Sequence, residues 1–291
     1  MDELLIGGTY QIKEVIYEGP CSAVYIGEHK LKGTKVIIKM EENNKYNLLK
    51  KESSIYLELQ KNKVKKISPE FKNFGIIRNY NYLILEKMEC NLKEKYKEEK
   101  LSIPEVCNIG IQLIKLVEVL HNNDLLHRDI KLENFVYSKE KIYIIDYGLS
   151  QFIGNPGYKY NQGYNKDILQ HYYETKNTNK FIGNKLFSSY NVHQGYEYTK
   201  KDDLISIMYI LFYLYFKNLP WDNLQLTDEQ VELDIIGNLK KYSNYNKFYK
   251  DIEGNEDLIN LYSNVRHIEC IDKINYEFYI EKLLTIKKKY S

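Results

Sequence analysis

Two runs rich in β-branched and aromatic residues, TYQIKEVIYEG and SAVYIGEHKL, meet near Gly19–Pro20. Such residues favour strands and the Gly–Pro pair favours a turn, so the pattern predicts a hairpin. A third strand, TKVIIKME, follows a turn at Lys32–Gly33. From about Lys45 to Lys61 the spacing becomes helical, with Leu48, Leu49, Ile55 and Leu59 broadly on one side. FGII and YLILE then read as two more strands. The opening part of the chain is therefore a small sheet with one helix.

From Ser102 onward the pattern is helical. Ser102 and Glu105 form a capping-box pair, with Pro104 in the first turn, ahead of the apolar run VCNIGIQLIKLVEVLH. Two short strands are expected at FVYS and KIYIID, joined by a turn at Lys139–Lys141. Gly154–Asn184 is a long irregular stretch rich in Gly, Tyr and Asn, and loops of that length inside a compact domain are usually functional or mobile. Helical patterns return at Lys200–Lys217, Thr227–Lys240, Glu256–His267 and Tyr276–Lys287, and no internal repeat is visible. The fold class is α+β. The run LISIMYILFYLYF, Leu204–Phe216, falls short of the roughly 20 residues that span a bilayer. Asp202, Asp203 and Lys217 bound it, so it reads as a buried core helix.

Composition narrows the choices. A chain of 291 residues can bury a sizeable core, in one large domain or two lobes. Its 42 Lys and Arg face 40 Asp and Glu, a balance that calls for neither nucleic acid nor a membrane as partner. KNKVKK reads as a solvated helix end. Ala23 is the only alanine, and Arg78, Arg128 and Arg266 are the only arginines, while tyrosine reaches 29. That skew points to an A/T-rich coding sequence, so residues that resist it carry more weight. Cys21, Cys90, Cys107 and Cys270 are widely spaced without a CxxC pair, as expected for reduced thiols in a cytosolic or nuclear setting. MDELLIGGTY is too short and acidic for a signal peptide. The chain closes on IKKKYS after the last helical pattern, so a long regulatory tail is not expected.

The candidate chemistry lies in LLHRDIKLENF, Leu125–Phe135, and IIDYGLS, Ile144–Ser150. His-Arg-Asp-x-Lys-x-x-Asn followed by Asp-Tyr-Gly resembles the catalytic and metal-binding loops of protein kinases. Phosphoryl transfer depends on positioning and charge neutralisation more than on covalent help, and these residue types supply both. The resemblance implies that Asp129 orients or accepts the substrate hydroxyl proton and Lys131 neutralises the moving phosphate. It further implies that Asn134 and Asp146 give hard oxygen ligands to Mg²⁺. Lys39 in VIIK and Glu52 in KKESSIY match the strand lysine and helix glutamate that position ATP phosphates. Asp203 matches the aspartate that holds the catalytic-loop backbone.

ESSIY, SSYNVHQGYE and KKDDL with LPW narrow the likeness to the casein kinase 1 family, from about Thr9 to Leu284. The resemblance implies one kinase domain over 1–291, with an N-lobe to about 86, a hinge over about 86–91 and a C-lobe from about 92. Its implied activity is transfer of the ATP γ-phosphate to protein Ser or Thr hydroxyls by a monomer. The nucleotide pocket it implies comprises Ile16, Gly19, Val24, Ile37, Lys39, Leu85, Glu86, Met88, Val136 and Ile145, with Leu85 as gatekeeper.

Several positions depart from the family. The glycine-rich loop reads Tyr17-Glu-Gly19-Pro20-Cys21-Ser22-Ala23-Val24, so Pro20 offers no N–H and only one glycine remains. Ile37 stands where an alanine touches adenine, and Tyr147 replaces phenylalanine, a change that needs a partner for its hydroxyl. The basic substrate pocket is reduced: Leu186 replaces an arginine, Asn184 a threonine, and Asp228, Glu229 and Glu232 occupy a normally basic region. Lys185, beside Leu186, is expected to restore some positive charge. The segment from Asp146 to Ser188 is long and holds Tyr158, Tyr160, Tyr164, Tyr172 and Tyr173, a docking or modification surface or simple compositional bias. The alternative to an active kinase is a kinase-shaped scaffold that binds nucleotide weakly or not at all.

Overall fold

The computed structural model describes residues 5–19, 22–43, 48–61, 66–153, 181–269 and 273–291. The strands are β1 (Tyr10–Glu18), β2 (Ser22–His29), β3 (Lys35–Glu42), β4 (Phe71–Ile77), β5 (Tyr80–Glu86), β6 (Cys90–Asn91), β7 (Leu125–Leu126), β8 (Phe135–Ser138), β9 (Lys141–Ile144) and β10 (Gln151–Phe152). The helices are α1 (Leu48–Lys61), α2 (Leu92–Lys95), α3 (Ile103–Asn122), α4 (Tyr190–His193), α5 (Lys200–Phe216), α6 (Glu229–Tyr242), α7 (Tyr245–Phe248), α8 (Asn255–Arg266) and α9 (Tyr276–Lys289). Among them, no helix is long and apolar enough to cross a membrane.

The chain divides into two compact units, Met1–Asn91 with Val136–Gly148, and Leu92–Phe135 with Leu149–Ser291. The second unit begins at Leu92. The stretch 136–148, read from sequence as part of the C-lobe, instead groups with the first unit. The reason is pairing: Cys90 and Asn91 of β6 lie opposite Tyr137 and Val136 of β8, and Ile144 N donates to Ile67 O at 2.8 Å.

The first unit holds an antiparallel sheet in the order β1-β2-β3-β5-β4. Successive strand residues face opposite sides. Val36 and Ile38 therefore join Ile6, Tyr82 and Ile84 in a buried cluster on one face. Ile37 and Lys39 point to the other, opposite Leu85 and Leu83 on β5 and Ile26 and Val24 on β2. Helix α1 begins where Glu41 accepts from Leu48 N at 3.0 Å and Leu49 N at 2.7 Å. That buried carboxylate satisfies orphan N–H groups and suits the positive helix end.

In the second unit, α3 starts at the predicted capping box, Ser102 with Glu105, and packs on α5 and α9. A Cβ on Gly110 would lie 2.9 Å from Leu211 Cδ1 and 3.0 Å from Leu283 Cδ1, so a larger residue there would have to displace these leucine side chains. Helix α5 is buried along nearly its whole length, which explains its unbroken apolar run. Aromatics fill the core around it. Tyr209, Tyr245, Tyr249 and Tyr262 are buried, and their hydroxyls are partnered: Tyr209 to Tyr262 at 3.1 Å, Tyr245 to Lys240 O at 3.0 Å and Tyr249 to Asn218 O at 3.0 Å. Part of the tyrosine excess is thus core material that keeps its polar tip satisfied.

Candidate active site

In the first unit, strand alternation turns Lys39 toward α1. Its Nζ lies 2.9 and 3.2 Å from the two Glu52 oxygens and 3.6 Å from Asp146 Oδ1. Burial works against the Lys39 ammonium, but the Asp146 and Glu52 carboxylates outweigh it and raise its pKa. Burial also pushes the Glu52 carboxyl upward, against the pull of Lys39 and of a hydrogen bond from the Tyr147 backbone. Both Glu52 oxygens face the Lys39 ammonium, a charge-assisted contact that favours the ionised carboxylate against its burial.

Asp146 follows β9 with φ 69°, a left-handed conformation that non-glycine residues adopt at a cost of about 1–3 kcal/mol. The residues around it are fixed. Lys51 Nζ donates to Gly148 O at 3.1 Å, and the Tyr147 ring meets Tyr56 edge-on at 4.9 Å. The Tyr147 hydroxyl, fully buried, bonds to Ser68 Oγ and so has the partner its replacement of phenylalanine demands.

All the residues expected at the nucleotide lie in this unit. Val24, Ile37, Lys39 and Leu85 share one sheet face. Ile16, on β1, is 50% exposed, and Gly19 N donates to Ser22 O at 2.9 Å, closing the β1–β2 turn. Pro20 and Cys21 at that turn lie outside the described residues. At the end of β5, Glu86 N donates to Glu70 O at 2.9 Å and its carboxylate pairs with Lys66 at 2.9 Å. Met88 follows two residues on, Val136 is on β8, and Ile145 directly precedes Asp146.

The second unit carries the loop 127–134. Asp203, buried at the first turn of α5, receives His127 N at 2.9 Å, Arg128 N at 3.1 Å, the Tyr198 hydroxyl at 2.8 Å and His121 Nε2 at 2.9 Å. Burial opposes its charge, but these bonds win and hold its pKa below the usual carboxylate value. The expected backbone anchor is present, with two side-chain partners that the sequence did not disclose. Arg128 is left-handed, φ 70°, and bonds to Gln151. Beyond it, Asp129 Oδ2 accepts from Lys131 Nζ at 2.6 Å and Asn134 Nδ2 at 2.9 Å. Asn134 Nδ2 also donates to Asp129 O at 2.8 Å.

The neighbouring segment corrects one expectation. Lys185 Nζ stands 3.3 Å from Glu229 and 3.5 Å from Glu232, so it neutralises α6 carboxylates and restores no free positive charge. Asn184 caps its own turn, accepting from Leu186 N at 2.9 Å and Phe187 N at 3.1 Å. A fully buried lysine missed by sequence reading fixes this segment: Lys240 Nζ donates to Lys185 O at 2.7 Å and Ser188 O at 2.6 Å. Gly183 sits at φ 132° and a Cβ there would meet Arg128 O at 3.2 Å, which brings the segment against the 127–134 loop. The five tyrosines at 158, 160, 164, 172 and 173 lie outside the described residues.

The family model for the protein kinase domain matches residues 10–281. A probable casein kinase I homolog of Encephalitozoon cuniculi (strain GB-M1) is 27% identical over 239 residues, covering 79% of this chain and 74% of that protein. The kinase-domain match takes in the Lys39–Glu52 pair of the first unit and the Asp129 loop of the second. This chain belongs to the protein kinase family, within which it is casein kinase 1-like.

Proposed function

We propose that the protein is an active kinase that transfers the γ-phosphate of ATP to serine or threonine hydroxyls of protein substrates, with Mg²⁺ as cofactor. The observation that carries this reading is the Asp129 carboxylate, 7% exposed and bonded to Lys131 and Asn134 on a loop tied to Asp203. A carboxylate so held can orient a hydroxyl and take its proton, and the adjacent ammonium offsets phosphoryl charge. Lys39, kept protonated by Glu52 and Asp146, is suited to the α- and β-phosphates.

Asn134 of the second unit and Asp146 of the first are each suited by their own chemistry to Mg²⁺. Asn134 directs its Nδ2 toward Asp129, which leaves its carbonyl oxygen as a hard donor, and the Asp146 side chain is 41% exposed. Bound Mg-ATP supplies the phosphoryl group and neutralises its charge. Ile16, Gly19, Val24, Ile37, Leu85, Glu86, Met88, Val136 and Ile145 complete the proposed nucleotide contacts. Lys131, two residues after Asp129, and the likeness to a casein kinase I homolog support Ser/Thr over Tyr. Because Lys185 is already paired, we infer that phosphorylated or acidic substrates gain no advantage. The same reading takes 1–291 as one domain, acting as a cytoplasmic or nuclear monomer on proteins, without nucleic acid or membrane.

A second reading, a scaffold with weak nucleotide binding, is favoured by one contact. Gly19 spends its N–H on Ser22 O, so the loop after β1 offers phosphate one donor fewer. Incubation with γ-labelled Mg-ATP and dephosphorylated casein tests the choice. Label on phosphoserine and phosphothreonine is the expected result; no label above the no-enzyme background would favour the scaffold.

A further inference from the structure

The Asp146-Tyr147-Gly148 motif is gripped from the short segment that leads into β4. Ile67 O takes the N–H of Ile144, two residues before Asp146, and Ser68 Oγ and the hydroxyl of Tyr147, one residue after it, share a hydrogen bond. Apolar packing of the Tyr147 ring on Tyr56 is non-directional and would let the ring slide. A hydrogen bond fixes direction as well as distance. Ser68 is itself restrained, because it precedes Pro69 and the proline ring disfavours the helical region for the residue before it. Both hydroxyls are buried, so neither has water as a substitute.

We propose that Ser68 is a positioning residue whose hydroxyl tethers Tyr147 and so holds Asp146 in its strained conformation facing Lys39. The tether adds a directional bond to the packing of the Tyr147 ring on Tyr56, and its catalytic meaning rests on the function proposed above. It works entirely inside the first unit. Breaking it frees the motif to relax from φ 69° toward ordinary backbone, which carries the Asp146 carboxylate away from Lys39.

The test compares wild type with Ser68→Ala, Ser68→Thr, Tyr147→Phe and the double variant Ser68→Ala/Tyr147→Phe. Ser68→Ala removes the Ser68 partner of a buried hydroxyl and lowers the melting temperature; the double variant removes both hydroxyls and restores it. Hydrogen exchange of the amides in 144–148 is measured without nucleotide, with α5 as the reference for global stability. Exchange about tenfold faster in Ser68→Ala and in the double variant, but not in Ser68→Thr, is expected. The gain in ATP affinity on adding Mg²⁺ should fall about tenfold in the same two variants. Wild-type exchange in the double variant would overturn the tether. Faster exchange with an unchanged Mg²⁺ gain would overturn its positioning role. Absence of nucleotide binding by wild type would instead overturn the kinase reading, while the exchange result still decides whether the tether exists.

Discussion

Replacing Asp203 by asparagine probes the anchor of the 127–134 loop. One carboxylate oxygen accepts from His127 N and His121, the other from Arg128 N and Tyr198. Asparagine keeps the shape but has a single accepting oxygen. Whichever way its amide turns, the NH₂ group faces one backbone N–H of the loop, donor against donor. An orphaned buried donor costs about 1–3 kcal/mol, and losing the charge weakens the remaining bonds by about 1 kcal/mol more. The expected loss of stability is therefore about 2–4 kcal/mol. The assay is urea unfolding followed by the fluorescence of Trp221, the only tryptophan, which is 2% exposed and lies in the same unit. Because the disturbed N–H groups belong to residues adjoining Asp129, kcat should fall with it. A stability change under about 0.5 kcal/mol, within the range of ordinary surface substitutions, would refute the reasoning.

Lys39→Met should abolish measurable phosphate transfer, by at least about 100-fold, and lower stability because Glu52 is left buried without its cation. Labelled transfer and a melting curve check both; full activity would remove Lys39 from the site. Burial and the adjacent Lys240 push His193 down to about 2, so the folded protein keeps it neutral while the unfolded chain protonates it below about 6.5. Stability from this group is thus complete above pH 6.5 and falls as pH drops, by about 3 kcal/mol at pH 4.5. Urea midpoints should show this slope flattened in His193→Gln, and equal slopes would count against it. Pro20→Ser with Ser22→Gly should tighten ATP binding several-fold by giving back an N–H and backbone freedom; calorimetry that finds the same affinity would acquit the loop.

The sequence disclosed the parts of the site whose residues are close in the chain or fixed by strand period. Lys39 faces α1 because Val36 and Ile38 must face the core, and the Asp129 loop sits in one contiguous string. What stayed hidden depends on tertiary contact. Lys240 and Lys241 are adjacent and look alike, yet the first is fully buried on the carbonyls of 185 and 188 and the second is half-buried beside Tyr190. Glu41 reads as a strand-end surface charge until the chain turns and its carboxylate meets the start of α1. Lys185 looked like free charge because Glu229 and Glu232 reach it only through the fold. The short helices α4 and α7 have four residues each, too few to show a period.

The central claim is that the Asp129 carboxylate takes part in phosphate transfer. Asp129→Asn keeps the side chain's size and one oxygen, and it leaves the Asp203 anchor untouched. Initial rates of transfer to casein, measured at matched protein concentration and with melting temperatures shown to be similar, isolate the chemistry. The account predicts a rate lower by about 10² to 10⁴, the range for loss of a positioned general base. Equal rates from the two proteins would contradict it.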